Sequence, residues 1–322
     1  MITSAHPLAA LDTLDGYRQS FMDVTLWRPF VERVCRGFGS ACNLVRPGVV
    51  GTFPTFIVDD QRVVKFFGPL FDGETCWRVE QEAAQLMATV LHVPVAGLLD
   101  WGTLDGEPGW CYLVFEFIPG VSIGDVYEKI PFDDKLSMVH WLGEWLPRMH
   151  RIEVRRETSL PRLSEELARG WFSARWLEER TLWPVHLAGQ VEVYLSANVA
   201  FLQAESDCFI HADLTQDHFL GRFQSGRWET LAVIDFGDAM LGNLYYELAA
   251  LHLDLFDCDR RLLAAFLKAY GLPPDPDFVR KAMVTSLLHQ FDVYGSLFAW
   301  NPELQEAPTL EELAERLWNI RD

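Results

Sequence analysis

The chain has 322 residues, is 49% hydrophobic and 13% aromatic, and sets 27 basic against 46 acidic residues for a net charge of −19. That length suits one large domain or two lobes, and the apolar content excludes a disordered chain. The charge disfavours nucleic acid and anionic membranes as partners and favours a cationic small molecule.

At the N-terminus, MITSAHPLAALDTLDG lacks the basic and apolar regions of a signal peptide. No apolar run reaches the roughly 18 residues of a membrane helix. The six cysteines, Cys35, Cys42, Cys76, Cys111, Cys208 and Cys258, form no C-x-x-C pair. Buried thiols in a soluble cytoplasmic protein are therefore expected, rather than a disulfide frame or a zinc site.

The runs TFIV and VVKFF flank the polar Asp59-Asp60-Gln61, which predicts a hairpin. Residues 74–91 predict a helix, with Val79, Ala83, Leu86, Met87 and Val90 on one face. A strand then follows the Asp105-Gly106 turn signal and stops at Pro119-Gly120. Beyond Gly120 the texture is helical. DDKLSMVHWLGEWLPRMHRI aligns Leu136, Val139, Leu142, Leu146 and Met149, with a kink expected at Pro147. Two helices are read in 161–205, divided near Pro184. The segments CFI (208–210) and LAVIDF (231–236) suit buried strands, and Thr309 and Glu312 stand in capping-box spacing. The expectation is an α+β chain: a small β-rich lobe with one major helix over 1–118 and a larger, mostly helical lobe over 119–322. No G-x-G-x-x-G precedes a helix, which disfavours a dinucleotide fold.

Three positions bear chemistry. Lys65 lies within a strand and either snorkels outward or reaches into a cleft. A strand lysine held by a helix glutamate can position ATP phosphates. Glu82 is preferred for that partner because it adjoins the apolar Ala83 face, and Glu80 competes. Asp213 in HADLTQDH and Asp235 in VIDFGD each follow a short apolar strand, with a hairpin turning at Ser225-Gly226 between them. One carboxylate of such a pair can act on a hydroxyl proton while the other holds a metal.

The segments LVFEFIPG, HADLTQDHFL and AVIDFGDA resemble the aminoglycoside phosphotransferase-type branch of the protein-kinase-like fold, over roughly residues 40–255. The resemblance implies a bilobal small-molecule kinase that moves the γ-phosphate of ATP or GTP to a hydroxyl. It implies Asp213 as the residue that accepts the hydroxyl proton, and Asp235 as ligand to a Mg²⁺ bridging the β- and γ-phosphates. Lys65, held by Glu82, would meet the α/β-phosphates. Glu116, Phe117 and Ile118 would form the hinge beside the purine, with Phe115 behind it. His211 would anchor its loop, and Asn243 and Glu247 would be structural.

His218 departs from the family, which carries Asn there as a second metal ligand. Four readings stand open: nitrogen ligation with a tilt towards Mn²⁺, a hydrogen bond to Asp213 or a phosphate, replacement by Asp217 as oxygen ligand, or a nucleotide-binding pseudokinase that serves as a scaffold. The phosphate loop, RPGVVGTFPTF, offers only Gly48 and Gly51, and no A-P-E segment follows IDFG, which disfavours a regulated protein kinase. An aminoglycoside or similar cationic hydroxylated compound is the expected acceptor. Glu178, Glu179, Asp254 and Asp257 are candidate carboxylates for it, and Trp171, Trp176 and Trp183 candidate walls. An amino alcohol, a sugar or a protein remains the alternative acceptor, because the fold does not fix it.

Overall fold

The computed structural model describes residues 7–90, 94–168, 183–203, 207–273 and 275–320. The chain divides into two compact units. One runs up to Gly120 and takes back Leu231–Asp238; the other holds Val121–Thr230 and the residues from Ala239 onward. This differs from the expected boundary between 118 and 119, chiefly because the segment carrying Asp235 joins the first unit. The reason is local: Val233 N donates to Pro94 O at 2.8 Å and bridges Val95 in parallel.

The first unit is built on a five-stranded antiparallel sheet in the order β1-β2-β3-β5-β4. Its strands are β1 (Val45–Pro47), β2 (Thr55–Val58), β3 (Arg62–Phe67), β4 (Leu98–Thr103) and β5 (Cys111–Glu116). The expected hairpin is β2–β3, and Asp59 and Asp60 turn it with φ of 52° and 50°. Short polar side chains tolerate that left-handed backbone better than bulky ones. Alternation along β3 gives the sheet two faces. Val64 and Phe66 join a core with Trp27, Phe30, Val31 and Val34 of α2 (Val24–Gly37). Lys65 and Phe67 point to the opposite face, paired in register with Leu113 and Cys111 of β5.

Helix α2 and the shorter α1 (Leu14–Ser20) precede β1 and add to the single helix expected in this lobe. Each opens with a side-chain cap: Thr13 accepts from Gly16 N and Asp23 from Thr25 N. Helix α3 (Gly73–Met87) follows β3.

In the second unit, α4 (Phe132–Met149) continues through Pro147 rather than ending at it. Pro147 sits so near the C-terminus that only the last turn runs past it. Val139, Leu142, Leu146 and Met149 are buried, as the stripe requires. Gly143 permits close packing on the helix Arg260–Tyr270, because a Cβ there would meet that of Ala269 at 2.5 Å. Strand β6 (Val121–Ser122) pairs with β8 (Phe219–Gln224). Strands β8 and β9 (Arg227–Val233) form the second expected hairpin, turning at Ser225-Gly226 with φ of 52° and 80°. Strand β7 (Cys208–Ile210) pairs with β10 (Met240–Gly242). The final helix, Leu310–Trp318, is capped by Thr309, whose hydroxyl accepts from Glu312 N at 3.2 Å.

Candidate active site

Lys65 is 7% exposed, and its ammonium meets two carboxylates. Nζ donates to Glu80 Oε2 at 2.8 Å and to Asp235 Oδ1 at 2.7 Å. The partner on α3 is thus Glu80, and the expectation of Glu82 is corrected. The cause is helical phase. Glu80 shares the buried side of α3 with Val79, Ala83 and Met87. Two further residues turn the helix by roughly 200°, which carries Glu82 away from that side. Burial disfavours the Lys65 charge, but Asp235 and Glu80 outweigh it and the pKa stands above the ordinary lysine value. Burial raises Glu80, Lys65 opposes this, and Asp235 and Asp238 add to the rise. The result is one cation between two carboxylates in a nearly dry setting.

Asp235 stands at φ 64°, a left-handed conformation that a non-glycine residue adopts only under local constraint. Gly237 helps to keep space beside it, since an added Cβ would lie 3.3 Å from Asp235 Oδ1. On the same face of the sheet, Phe53, Phe67, Cys111 and Leu113 form an apolar cluster joined by Phe115 and Trp77. Phe53 and Phe67 also turn their rings to the Lys65 ammonium, at 5.9 and 5.4 Å. Beyond β5, Glu116 N donates to Gly97 O and Phe117 N to Gln61 O. These two amides are committed within the unit, whereas the expected purine contacts are backbone groups of Glu116 and Ile118. The guanidinium of Arg46 covers the Phe117 ring at 5.5 Å, and Ile118 follows the end of the strand, half-buried.

The second unit fixes the segment His211–His218 after β7. Glu247 is fully buried on the helix Leu244–Ala250 and accepts from His211 N at 3.0 Å and from Ala212 N at 2.7 Å. Burial pushes Glu247 up, but His150, His211 and the Ala212 amide hold its carboxyl below the usual range. Ala212 takes φ 66°. His289 Nε2 meets its carbonyl at 3.0 Å, and Phe291 N donates to Nδ1 of the same ring. That pattern assigns the proton to Nε2. Asp213 N donates to His211 Nδ1 at 3.3 Å, so His211 does anchor the loop.

His218 Nδ1 lies 2.6 Å from the Asp213 carbonyl, 3.1 Å from Thr215 Oγ1 and 3.4 Å from Asp213 Oδ2. A nitrogen that donates to a carbonyl cannot ligate a metal, so Nδ1 of His218 is not the second-metal ligand. That bond matches the hydrogen-bonding reading, and a histidine that ligates a metal through Nε2 donates its other N–H in the same way, so both readings stand. Asp217 packs against Gly124, where an added Cβ would meet Oδ1 at 2.5 Å. Asp254 accepts from Gln216 N at 2.7 Å and so tethers the same segment; burial first, then Asp217, raises its pKa. Asp257 turns the chain at φ 50° after the π-helical Leu251–Leu255. Trp183 is a core residue, bonded to Asp292 and packed on Tyr294 and Phe298. Trp171, Trp176, Glu178 and Glu179 lie outside the described residues.

Among the described residues no group of three or more His, Cys, Asp and Glu side chains is gathered to hold a metal. Mg²⁺ held with a nucleotide uses one or two carboxylates and takes its other oxygens from phosphates and water. Asp235, with a hard oxygen donor and the space beside Gly237, fits that demand; an imidazole fits it poorly.

A model of the phosphotransferase enzyme family (APH) matches residues 52–282. The chain belongs to that family. It is a phosphotransferase of protein-kinase-like fold. The GDP complex of aminoglycoside 2'-phosphotransferase-IIIa superposes with a TM-score of 0.64 at 18% identity, covering 92% of this chain and 98% of that one. The GDP and kanamycin complex of an APH(2")-IIIa enzyme gives 0.61 at 20% identity, covering 90% and 97%. A streptomycin–ATP complex of APH(2")-IIa gives 0.59 at 18%, covering 84% and 88%. At these identities the likeness concerns the fold. The lysine-specific demethylase JMJ21 of Arabidopsis thaliana is 27% identical over 117 residues, and the match spans 30% of this chain but only 12% of that protein.

Proposed function

We propose that this phosphotransferase moves the γ-phosphate of ATP or GTP to a hydroxyl of a small cationic acceptor of the aminoglycoside kind. The observation that carries the reading is Lys65 buried between Glu80 and Asp235. Burying an ammonium with two carboxylates costs desolvation that an apolar side chain would avoid, which supports a group kept for function. Lys65 binds the α/β-phosphates, and Glu80 fixes it there. Asp235 would hold Mg²⁺ through a carboxylate oxygen. The metal, when bound, neutralises charge on the β- and γ-phosphates. Asp213 orients the acceptor hydroxyl and takes its proton, and His218 and Glu247 keep its backbone still.

The net charge of −19 supports a cationic acceptor, and two of the similar structures hold kanamycin and streptomycin. No helix among the described residues is long and apolar enough to cross a membrane, and we assign the protein to the cytoplasm. A pseudokinase scaffold is the competing reading, raised by His218. The hydrogen bond from His218 to the Asp213 backbone supports a loop kept for chemistry.

The test is nucleotide consumption with Mg²⁺ and then Mn²⁺, with and without a panel of aminoglycosides, beside Asp213→Ala. Turnover stimulated by an acceptor and reduced about 10²–10⁴-fold in the variant is expected. Basal hydrolysis without stimulation would reject the aminoglycoside class and keep the kinase. Nucleotide binding with no turnover under either metal would overturn the proposal in favour of the scaffold.

A further inference from the structure

The expected phosphate loop, residues 48–54 between β1 and β2, has only Gly48 and Gly51 to shape it, yet it is ordered at its base. Gly48 N donates to Thr55 O at 2.8 Å, and an added Cβ at Gly48 would strike Thr55 Cγ2 at 2.8 Å. Thr55 Oγ1 donates to Phe53 O at 3.0 Å. Phe53 is buried, lies 4.8 Å from Phe67 and faces Lys65. Between these ties, Val49 and Val50 are exposed, at 47% and 72%.

A side-chain tie comes from outside the loop, beside the backbone bond from Phe66 N to Pro54 O at 2.9 Å. Tyr17, on α1, donates its hydroxyl to the carbonyl of Thr52 at 2.7 Å. The ring is 5% exposed. It stacks on Phe21 at 5.3 Å and 13°, and meets Phe71 edge-on at 5.3 Å. Phe71 belongs to the turn Leu70–Asp72, which leads into the helix that carries Glu80. One side chain thus touches the phosphate loop and the entrance to α3. Helix α1 lies ahead of residue 52, where the match to the family model begins.

We infer that Tyr17 is a positioning residue for the nucleotide: α1 is a strut that holds the phosphate loop in its binding shape through the Tyr17–Thr52 hydrogen bond. The inference rests on the nucleotide-dependent reading above. A loop ordered before binding loses less freedom when the phosphates arrive, so affinity rises without any direct contact from Tyr17. An external strut does for this loop what glycine-shaped backbone turns do elsewhere. Burial raises the phenol pKa, against the pull of Lys65, so the hydroxyl remains a donor throughout the working pH range.

The experiment compares wild type, Tyr17→Phe and Phe21→Leu. MgATP and MgGTP binding are measured by calorimetry, amide exchange in the free protein by mass spectrometry, and KM and kcat wherever turnover is seen. Tyr17→Phe is expected to weaken nucleotide binding roughly fivefold, the size of one net hydrogen bond. It should speed exchange at residues 50–53 and leave kcat at saturating nucleotide unchanged. Phe21→Leu keeps the hydroxyl and should bind nucleotide within about twofold of wild type. Unchanged affinity and unchanged loop exchange in Tyr17→Phe would overturn the strut alone. So would faster exchange across the whole first unit with a parallel fall in kcat, because that marks a merely structural tyrosine. Wild-type protein that binds neither nucleotide would instead overturn the nucleotide reading, and the strut with it.

Discussion

The segment 211–218 and the loop 48–54 are both tied down from elsewhere in the chain, but by different chemistry. The first is held from beneath by a buried carboxylate and a buried imidazole, on a residue whose φ is already strained. The second is held by backbone hydrogen bonds at Gly48 and Pro54 and by a neutral phenol on Thr52, and its tip stays exposed. A loop that carries a proton acceptor has to keep one geometry. A loop that admits and releases a nucleotide needs order at its base and freedom at its tip. On the proposed roles of the two loops, the difference between an ionic and a neutral anchor follows from those two tasks.

The strongest way to break this comparison is Glu247→Leu. It leaves the amides of His211 and Ala212 buried without an acceptor, and removing such a charged acceptor costs about 3–5 kcal/mol. Chemical unfolding should show that loss, and phosphate transfer should vanish. A loss under about 1 kcal/mol would mean that the segment is not held as described. His289→Phe is gentler, because the new ring keeps the stack on Tyr246, 4.7 Å away, while it removes the donor to Ala212 O and the weaker acceptor of Phe291 N. A fall in kcat of about tenfold, with nucleotide affinity unchanged, is expected from a lost hydrogen bond worth about 1–1.5 kcal/mol.

Acid sharpens the contrast with the smallest perturbation. Glu247 has a folded pKa below its ordinary 4.5. Its contribution is therefore fully present above that value and is lost as pH falls through the lower folded value. The Tyr17 hydroxyl does not titrate in that range. Amides of 211–213 should lose exchange protection on acidification below about pH 4.5, while those of 50–53 keep theirs once intrinsic rates are corrected. Equal loss in both loops would remove the distinction.

Much of this was legible in sequence because the signals are local. Asp59-Asp60, Asp105-Gly106 and Ser225-Gly226 mark turns by residue type alone, and Asp213 and Asp235 each follow a short apolar strand within three residues. Glu80 ranks behind Glu82 in sequence because two glutamates two positions apart differ only in helical phase, and Glu82 adjoins the apolar Ala83. Helices α1 and α2 did carry readable marks: the caps Thr13 and Asp23, and Trp27, Phe30, Val31 and Val34 at helical spacing. His289 and Tyr17 had none, because each acts on backbone far along the chain. The left-handed turn at Ala212 was equally silent, since it is imposed by the Glu247 and His289 contacts rather than by the residue itself.

The return of Leu231–Asp238 to the first unit sets an order on biosynthesis. The ribosome finishes the five sheet strands early, but the ammonium of Lys65 then has only Glu80 beside it. Its second counter-charge emerges only after all of Val121–Thr230 has been made. Until then Pro94 and Val95 wait for their partner Val233. A gene fragment that stops at Gly120 would yield a lobe with an unfinished charge balance, so the first unit matures after most of its neighbour has been translated.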